Sequence, residues 1–474
     1  MKIKFIIRTL SVVILFSLAS CEKFLNVEPR ESISDEITIV DETSAKTAVR
    51  GIYNGLRSND YYGYTFQILG FFSADNIVYT GSQIVHQQLT NHTVRADLAA
   101  LETAWKAIYG TINRANNVIA KVPGLPVTPT FTQAVKDGLV GEAYFVRALA
   151  YFDLARTWGG VQLVLSPTIL ASDLPNVKRS TVQQTYAQVL KDLQTAENLL
   201  PETVNRIRAT KKTVWALRAR YHLYQKEWDD AATYATKVID DVANYKLVTP
   251  YTSFYANGAS GTQESVLELY YDINSPSNQA GQWLPSTKGG VGWIRPSSTA
   301  GTGIVHLLTN PAIGGTRSAL VEKVVISGQD NWFGTFYYRP NRTDPAFLIR
   351  TAELYLIRAE ANAQSSQSAG DAKYLAALAD LNAVKNRSNV PSSTILDIPV
   401  KADLLLAIEN ENRVEFALEN HRWYDLVRTG RAAAVLNPTN APNRNINNPQ
   451  RLLLPIPYGQ TQIDPNLDPN PGLN

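Results

Sequence analysis

The chain has 474 residues, 45% hydrophobic and 18% charged, the balance of a folded chain of roughly one large or two to three ordinary domains. The net charge is +3, and losing Lys2, Lys4 and Arg8 leaves 42 basic against 42 acidic residues. That balance argues against the basic surface that nucleic acid or anionic lipid requires, and the single cysteine, Cys21, excludes an intramolecular disulfide.

Lys2, Lys4 and Arg8 precede an apolar run from Leu10 to Ala19, broken only by Ser11 and Ser17. A basic start, a short apolar run and small residues read as a secretory signal peptide, too short for a comfortable bilayer span. Leu18-Ala19-Ser20-Cys21 resembles the lipobox of bacterial lipoproteins, which implies lipidation of Cys21 and a signal over residues 1–20. Residues 21–41 then form the acylated N-terminus and a polar tether.

The first helical run is Glu42 to Leu56. Residues 57–95 are irregular and rich in Tyr, Phe, Asn and Gly. A helix is predicted over 97–121, where Leu98, Leu101, Ala104, Trp105, Ile108, Ile112 and Ala115 share one face. The next, over 131–158, is apolar nearly all round in its second half. Glu142, Asp153 and Arg156 lie on one polar strip, with Arg147 opposite, so the helix is packed on most sides. Gly159-Gly160 ends it, and 161–164 reads as a short extended piece. Ser180 and Gln183 read as a capping box for a helix closed by Pro201.

Residues 211–242 read as a helical hairpin turning at Gln225-Lys226-Glu227. Trp215, Ala219, Trp228 and Ala231 take the packing positions of a tetratricopeptide-type repeat, with His222 and Lys226 where Tyr and Gly are usual. Further helices are predicted over 347–364, 371–388 and 401–428. Between them, 245–346 is rich in Gly, Ser, Asn and Pro and carries twelve aromatics from Tyr251 to Tyr338. A loop region of that length inside a compact protein points to function.

Several blocks resemble the SusD/RagB family of outer-membrane nutrient-binding lipoproteins. They are Cys21 with Phe24-Leu25 and Pro29, Glu142 to Ala148 with Tyr151 to Leu154 and Trp158 to Val161, Arg350 to Ala361, Glu411 to Gly430, Leu454 to Pro457, and Asn470-Pro471-Gly472. Gln162, Asn412, Asn420 and Pro469 depart from the usual Pro, Arg, Gly and Gln. The resemblance implies a mostly α fold of about four tetratricopeptide-like hairpins with an irregular, aromatic-rich loop subdomain. It also implies an N-terminal domain over 42–244 and a C-terminal domain over 245–474 that holds the insertion 245–346. The implied role is capture of oligosaccharide, or in some members peptide, at the outer membrane. The protein would act as the lid of a TonB-dependent transporter barrel, without catalysis or cofactor.

Glycan binding rests on aromatic stacking with polar side chains fixing hydroxyls. The candidates in irregular segments are Trp283, Trp293, Trp332 and Arg295, and from the early loop Tyr79, Gln83 and His86. Family members often stack sugar on a Trp of that early loop; here 57–95 contains none. Trp105, Trp158, Trp215, Trp228 and Trp423 sit in helical patterns and read as core. Glu411, Glu415 and Glu419 repeat at i, i+4 and read as ion pairs rather than acid/base carboxylates. The five histidines are scattered. Asp464, Asn466 and Asp468 begin like an EF-hand loop, but Pro469 replaces its Gly, so no metal is expected. A surface glycoside hydrolase remains an alternative without a motif to support it.

Overall fold

The computed structural model describes residues 39–168, 177–437, 446 and 448–473. Cys21, the signal 1–20 and the tether as far as residue 38 lie outside the described residues. The last tether residues already belong to the fold. Ile39 is buried in the main core, and the Asp41 side chain accepts from the Ser44 amide at 2.8 Å to cap the first helix.

The described chain is mostly helical. Its first part holds α1 (Glu42–Leu56), α2 (Thr65–Phe71), β1 (Ile77–Tyr79), α3 (Ile84–Thr90), α4 (Ala99–Lys121), α5 (Gln133–Trp158), α6 (Val182–Leu199), α7 (Lys211–Gln225) and α8 (Trp228–Ile239). Next come β2 (Ser265–Leu269), α9 (Gln279–Trp283), β3 (Ile294–Pro296), α10 (Ile304–Thr309), β4 (Val321–Ile326), β5 (Gln329–Gly334) and β6 (Ala346–Arg350). The rest is α11 (Thr351–Ser365), α12 (Ala372–Arg387), α13 (Lys401–Glu415), α14 (Arg422–Arg428), α15 (Ala432–Leu436) and α16 (Tyr458–Ile463). The strands pair two by two and antiparallel, β1 with β3, β2 with β6 and β4 with β5.

Helix α5 is the central post, packed against α4 and α6. Each of its buried charges finds a partner, as burial demands. Arg147 forks onto Asp192 at 2.8 Å through both Nε and Nη2. Asp153 accepts from the hydroxyls of Tyr61 and Tyr62 and from Arg156 Nε. Glu142 takes Arg208 and the Tyr53 hydroxyl. Gly159, at φ 83°, ends the helix, and a Cβ on Gly160 would stand 2.0 Å from the Ser180 carbonyl. Only glycine lets these two segments approach so closely.

The extended piece 161–164 joins no sheet. Side chains take its carbonyls instead: Tyr109 bonds Gln162 O, and Tyr151 and Asn116 bond Val164 O. The capping box lies one residue later than the sequence suggests. Thr181 and Gln184 exchange the two bonds, and α6 begins at Val182. Two overlapping Ser/Thr-x-x-Gln pairs competed, and the register of the close Gly160–Ser180 crossing selected the second. Thr181→Ala is expected to cost about 1 kcal/mol in chemical denaturation, against a few tenths for Ser180→Ala.

Two predicted helices change. Residues 346–350 form the buried strand β6 on β2; a short apolar run has no periodicity of its own to separate strand from helix. The helix over 401–428 breaks after Glu415, with Phe416–His421 leading into α14. In an unbroken helix the Glu415 carbonyl would bond the amide four residues on. Here it accepts from Arg350 Nη2 at 3.2 Å and the Tyr251 hydroxyl at 3.1 Å. The break also leaves Glu419 free to reach the same arginine.

That arginine centres a buried ion network. Arg350 Nη1 meets Glu264 and Glu415 at 2.9 Å, and Nη2 meets Glu419 at 2.6 Å. Its guanidinium lies between the rings of Phe254 and Phe416, at 4.7 and 4.4 Å from their centroids. Arg387 binds Glu264 at 3.0 Å and also Glu415, and Arg317 binds Glu411 at 2.6 Å. The repeated glutamates are thus joined to arginines from β6, α12 and the segment before β4. Most of the twelve aromatics close a core over this network: Tyr251, Phe254, Tyr255, Tyr271, Trp283, Phe333, Phe336 and Tyr337 are all buried.

Candidate functional site

The β1–β3 ladder joins the two irregular segments. Its register sets Val78 opposite Arg295 and Tyr79 opposite Ile294. The Thr80 amide continues it to Trp293 O at 2.9 Å, and the Ser297 amide to Asn76 O at 2.7 Å. Asn76 fixes the strand from below. Its side chain donates to the carbonyls of Arg413 and Ala417 and accepts from Arg413 Nε. Asp75 beside it holds Arg413 at 3.0 Å and Arg422 at 2.9 Å. The α13–α14 segment is therefore the base on which the early loop is mounted.

The pairing brings together five of the seven candidate ligand residues. The Tyr79 and Trp293 rings stand 6.3 Å apart and nearly perpendicular, at 77°. Tyr79 also leans on His86, 4.3 Å between centroids, and its hydroxyl accepts from the Gln83 amide at 3.3 Å. Gln83 is exposed at the start of α3, beside Ile84 and Val85, which are 72% and 38% exposed. His86 is buried against Phe72. Burial pushes its imidazole down to about 4, so it is neutral at physiological pH. It supports the Tyr79 ring from behind and does not face outward.

Arg295 is half-buried. Its Nε donates to Gly292 O at 2.8 Å, its Nη1 to Asn331 Oδ1 at 2.6 Å, and its guanidinium lies 4.5 Å from the Phe333 centroid. Nη2 has no partner among the described residues and remains available as a donor. Asn331 and Phe333, which aim this arginine, were missed in the sequence because nothing there pairs β5 with β3.

Two tryptophans fall elsewhere. Trp283 is fully buried, edge-on to Phe71, with Nε1 bonded to Gln279 Oε1 at 3.1 Å. A Cβ on Gly334 would touch its ring at 2.8 Å. Packed on all sides, Trp283 offers no face to a ligand, which corrects the stacking role expected for it. Trp332 is half-buried on the opposite face of the β4–β5 hairpin from Asn331 and Phe333, paired with Lys323. It does not join the Tyr79–Trp293 group. The hairpin turns at Ser327-Gly328, both at positive φ, as a two-residue turn requires.

Among the described residues one trio has metal-ligand chemistry within 4.8 Å, His222, Glu227 and Asp230. There His222 Nδ1 already hydrogen-bonds Glu227 at 2.6 Å, and both acids are exposed.

Two family models match. One, described as starch-binding associating with outer membrane, covers residues 23–223, and the other, described as the SusD family, covers 334–473. The chain belongs to the SusD/RagB family. Two SusD-like proteins of Formosa agariphila are 27% and 25% identical to it, over 98% and 96% of both chains. Among solved structures, a laminarin-binding SusD-like protein superposes with a TM-score of 0.76 over 92% of this chain, at 24% identity. A SusD superfamily protein from Bacteroides vulgatus gives 0.78 over 92%, at 22% identity. These likenesses establish the SusD fold for the chain. The family blocks around Glu142, Arg350 and Glu411 are the residues that build α5, the ion network and the α13–α14 base. The SusD/RagB signature is thus largely a scaffold signature, whereas Tyr79, Trp293 and Arg295 lie outside the family blocks.

Proposed function

We propose that this SusD/RagB protein captures oligosaccharide at the cell surface by non-catalytic stacking on the Tyr79–Trp293 pair. Arg295 Nη2 and the carboxamide side chain of the exposed Gln83 supply hydrogen bonds to hydroxyls. The observation that carries this reading is the β1–β3 pairing, which brings an aromatic from each irregular segment into edge contact at 6.3 Å, Trp293 on the same side of its strand as the half-buried Arg295 and Tyr79 at the neighbouring position across the ladder. The starch-binding description of the matching family and the laminarin-binding structural relative support it. In this reading Tyr79 supplies the aromatic that the early loop lacks as tryptophan. Lipidated Cys21 holds the body at the outer membrane, facing outward, and a TonB-dependent transporter barrel receives the ligand. The tether keeps the local concentration over that barrel high.

Calorimetry of the soluble Cys21→Ser body tests the binding step against α-glucan, β-glucan and pectin fragments and a peptide library. Glycan binding without release of reducing ends is the expected result. Peptide binding in its place would move the protein to the peptide-capturing branch. Extraction of native membranes in mild detergent should yield the protein with a large β-barrel; recovery without any barrel would remove the transporter from the proposal.

A further inference from the structure

A cleft of about 470 Å³ opens between α1 and the end of β2, and it shares no lining residue with the Tyr79–Trp293 group. Its lining holds three arginines, Arg50, Arg57 and Arg208, and no carboxylate. Arg208 is committed. It forks onto Glu142 at 2.6 and 2.7 Å and covers the Tyr53 ring, forming the wall. Arg50 and Arg57 are not. Arg50 bonds the Thr47 hydroxyl at 2.7 Å and Arg57 the Tyr270 carbonyl at 3.2 Å, and neither pairs with an acid among the described residues. Arg50 and Asn54, at i and i+4, share one face of α1, and Arg57 follows at its C-cap.

Two further features shape the cleft for a ring that carries a charge. Tyr270 and Ile207, 49% and 46% exposed, line the cleft together with the arginines. Gly51 occupies the interior of α1, where glycine weakens a helix, and no neighbour demands it: a Cβ there would meet nothing within 4 Å. Its effect is to leave the cleft bare beside Arg50. A bidentate guanidinium matches a carboxylate or sulfate, an exposed phenol ring matches the apolar face of a pyranose, and Asn54 suits a hydroxyl.

We propose that this cleft binds an acidic sugar residue, a uronate or a sulfate ester, of the oligosaccharide that the protein captures. The proposal rests on the carbohydrate reading above and adds a second, charge-selective subsite to it.

The test is calorimetry on the soluble Cys21→Ser body with three probes: an oligogalacturonate, a sulfated galactan oligosaccharide and a neutral glucan of equal length. Arg50→Gln with Arg57→Gln is expected to weaken the acidic probe by about tenfold or more and to abolish its salt dependence. Tyr270→Ala should weaken the same probe. The neutral glucan should respond to neither change, but to Trp293→Ala. Whichever acidic probe is lost identifies the charged group as carboxylate or sulfate. Neutral binding with acidic probes indifferent to the arginine variants overturns the cleft proposal alone. No binding of any glycan overturns the carbohydrate reading with it. Melting temperatures of the variants separate lost contacts from lost folding.

Discussion

Arg350→Ala is expected to destabilise the protein by about 3–5 kcal/mol. The arginine is 1% exposed and binds Glu264, Glu415 and Glu419. Removing it takes away the ion-pair partner of Glu419, leaves Glu264 to Arg387 and Glu415 to Arg387 and Arg317, and deletes the filling between Phe254 and Phe416. Global stabilities are typically about 5–15 kcal/mol, so the variant stands near the limit of folding. Urea melts at neutral pH measure it, with Lys288→Ala as a contrast. Lys288 pairs with Glu322 at the surface, and its loss should cost at most about 1 kcal/mol. An Arg350→Ala protein as stable as the Lys288→Ala one would show that the network adds little.

The same network sets a pH dependence with a definite sign. Burial alone would raise the Glu415 carboxyl, but Arg387, Arg350 and Arg317 outweigh it and hold the group down at about 2. A depressed carboxyl contributes stability above its unfolded value near 4.5, and loses it as pH falls toward 2. Burial pushes Glu411 and Glu419 upward, so their contribution runs the opposite way, favouring the fold as they protonate. Glu415→Gln should therefore flatten the stability profile between about 4.5 and 2, at a large cost in stability at neutral pH.

The second large effect concerns the ligand. Trp293→Ala should weaken neutral glycan binding by about tenfold to a hundredfold, the loss of one well-placed stacking ring. Tyr79→Ala should do nearly as much. Their double variant should lose less than the sum, because the two rings lie 6.3 Å apart and neighbouring residues are not additive. Two controls locate the platform. Trp332→Ala, on the far face of the β4–β5 hairpin, should leave affinity unchanged. Trp283→Ala should lower stability by about 3–5 kcal/mol while the folded fraction still binds. Undiminished affinity in Trp293→Ala, or a loss in Trp332→Ala instead, would move the site away from β1–β3.

Much of this architecture is legible in the residues alone. Helical periodicity locates α1, α4, α5, α6 and the α7–α8 hairpin, because each buries one stripe or all of its surface and writes that into a local pattern. The polar strip of α5 and Arg147 opposite it announce buried charges, though not that Tyr61, Tyr62, Asp192 and Arg208 answer them. The family blocks identify the scaffold, since core and ion-network residues at α5, β6 and α13 are tied to one packing solution.

What the sequence could not decide is everything that depends on partners distant in the chain. Residues 346–350 become a strand because β2 lies open beside them, and the helix after Lys401 breaks because Arg350 and Tyr251 compete for one carbonyl. Tryptophans 283, 293 and 332 look alike in a loop-rich stretch, yet one is core, one faces Tyr79 and one lies on the reverse of a hairpin. A loop residue has no period from which its direction can be read. Composition and local pattern thus determined the helices and the kind of chemistry available to the loops. Only the antiparallel pairing of Ile77–Tyr79 with Ile294–Pro296, two segments some two hundred residues apart, decided which side chains meet.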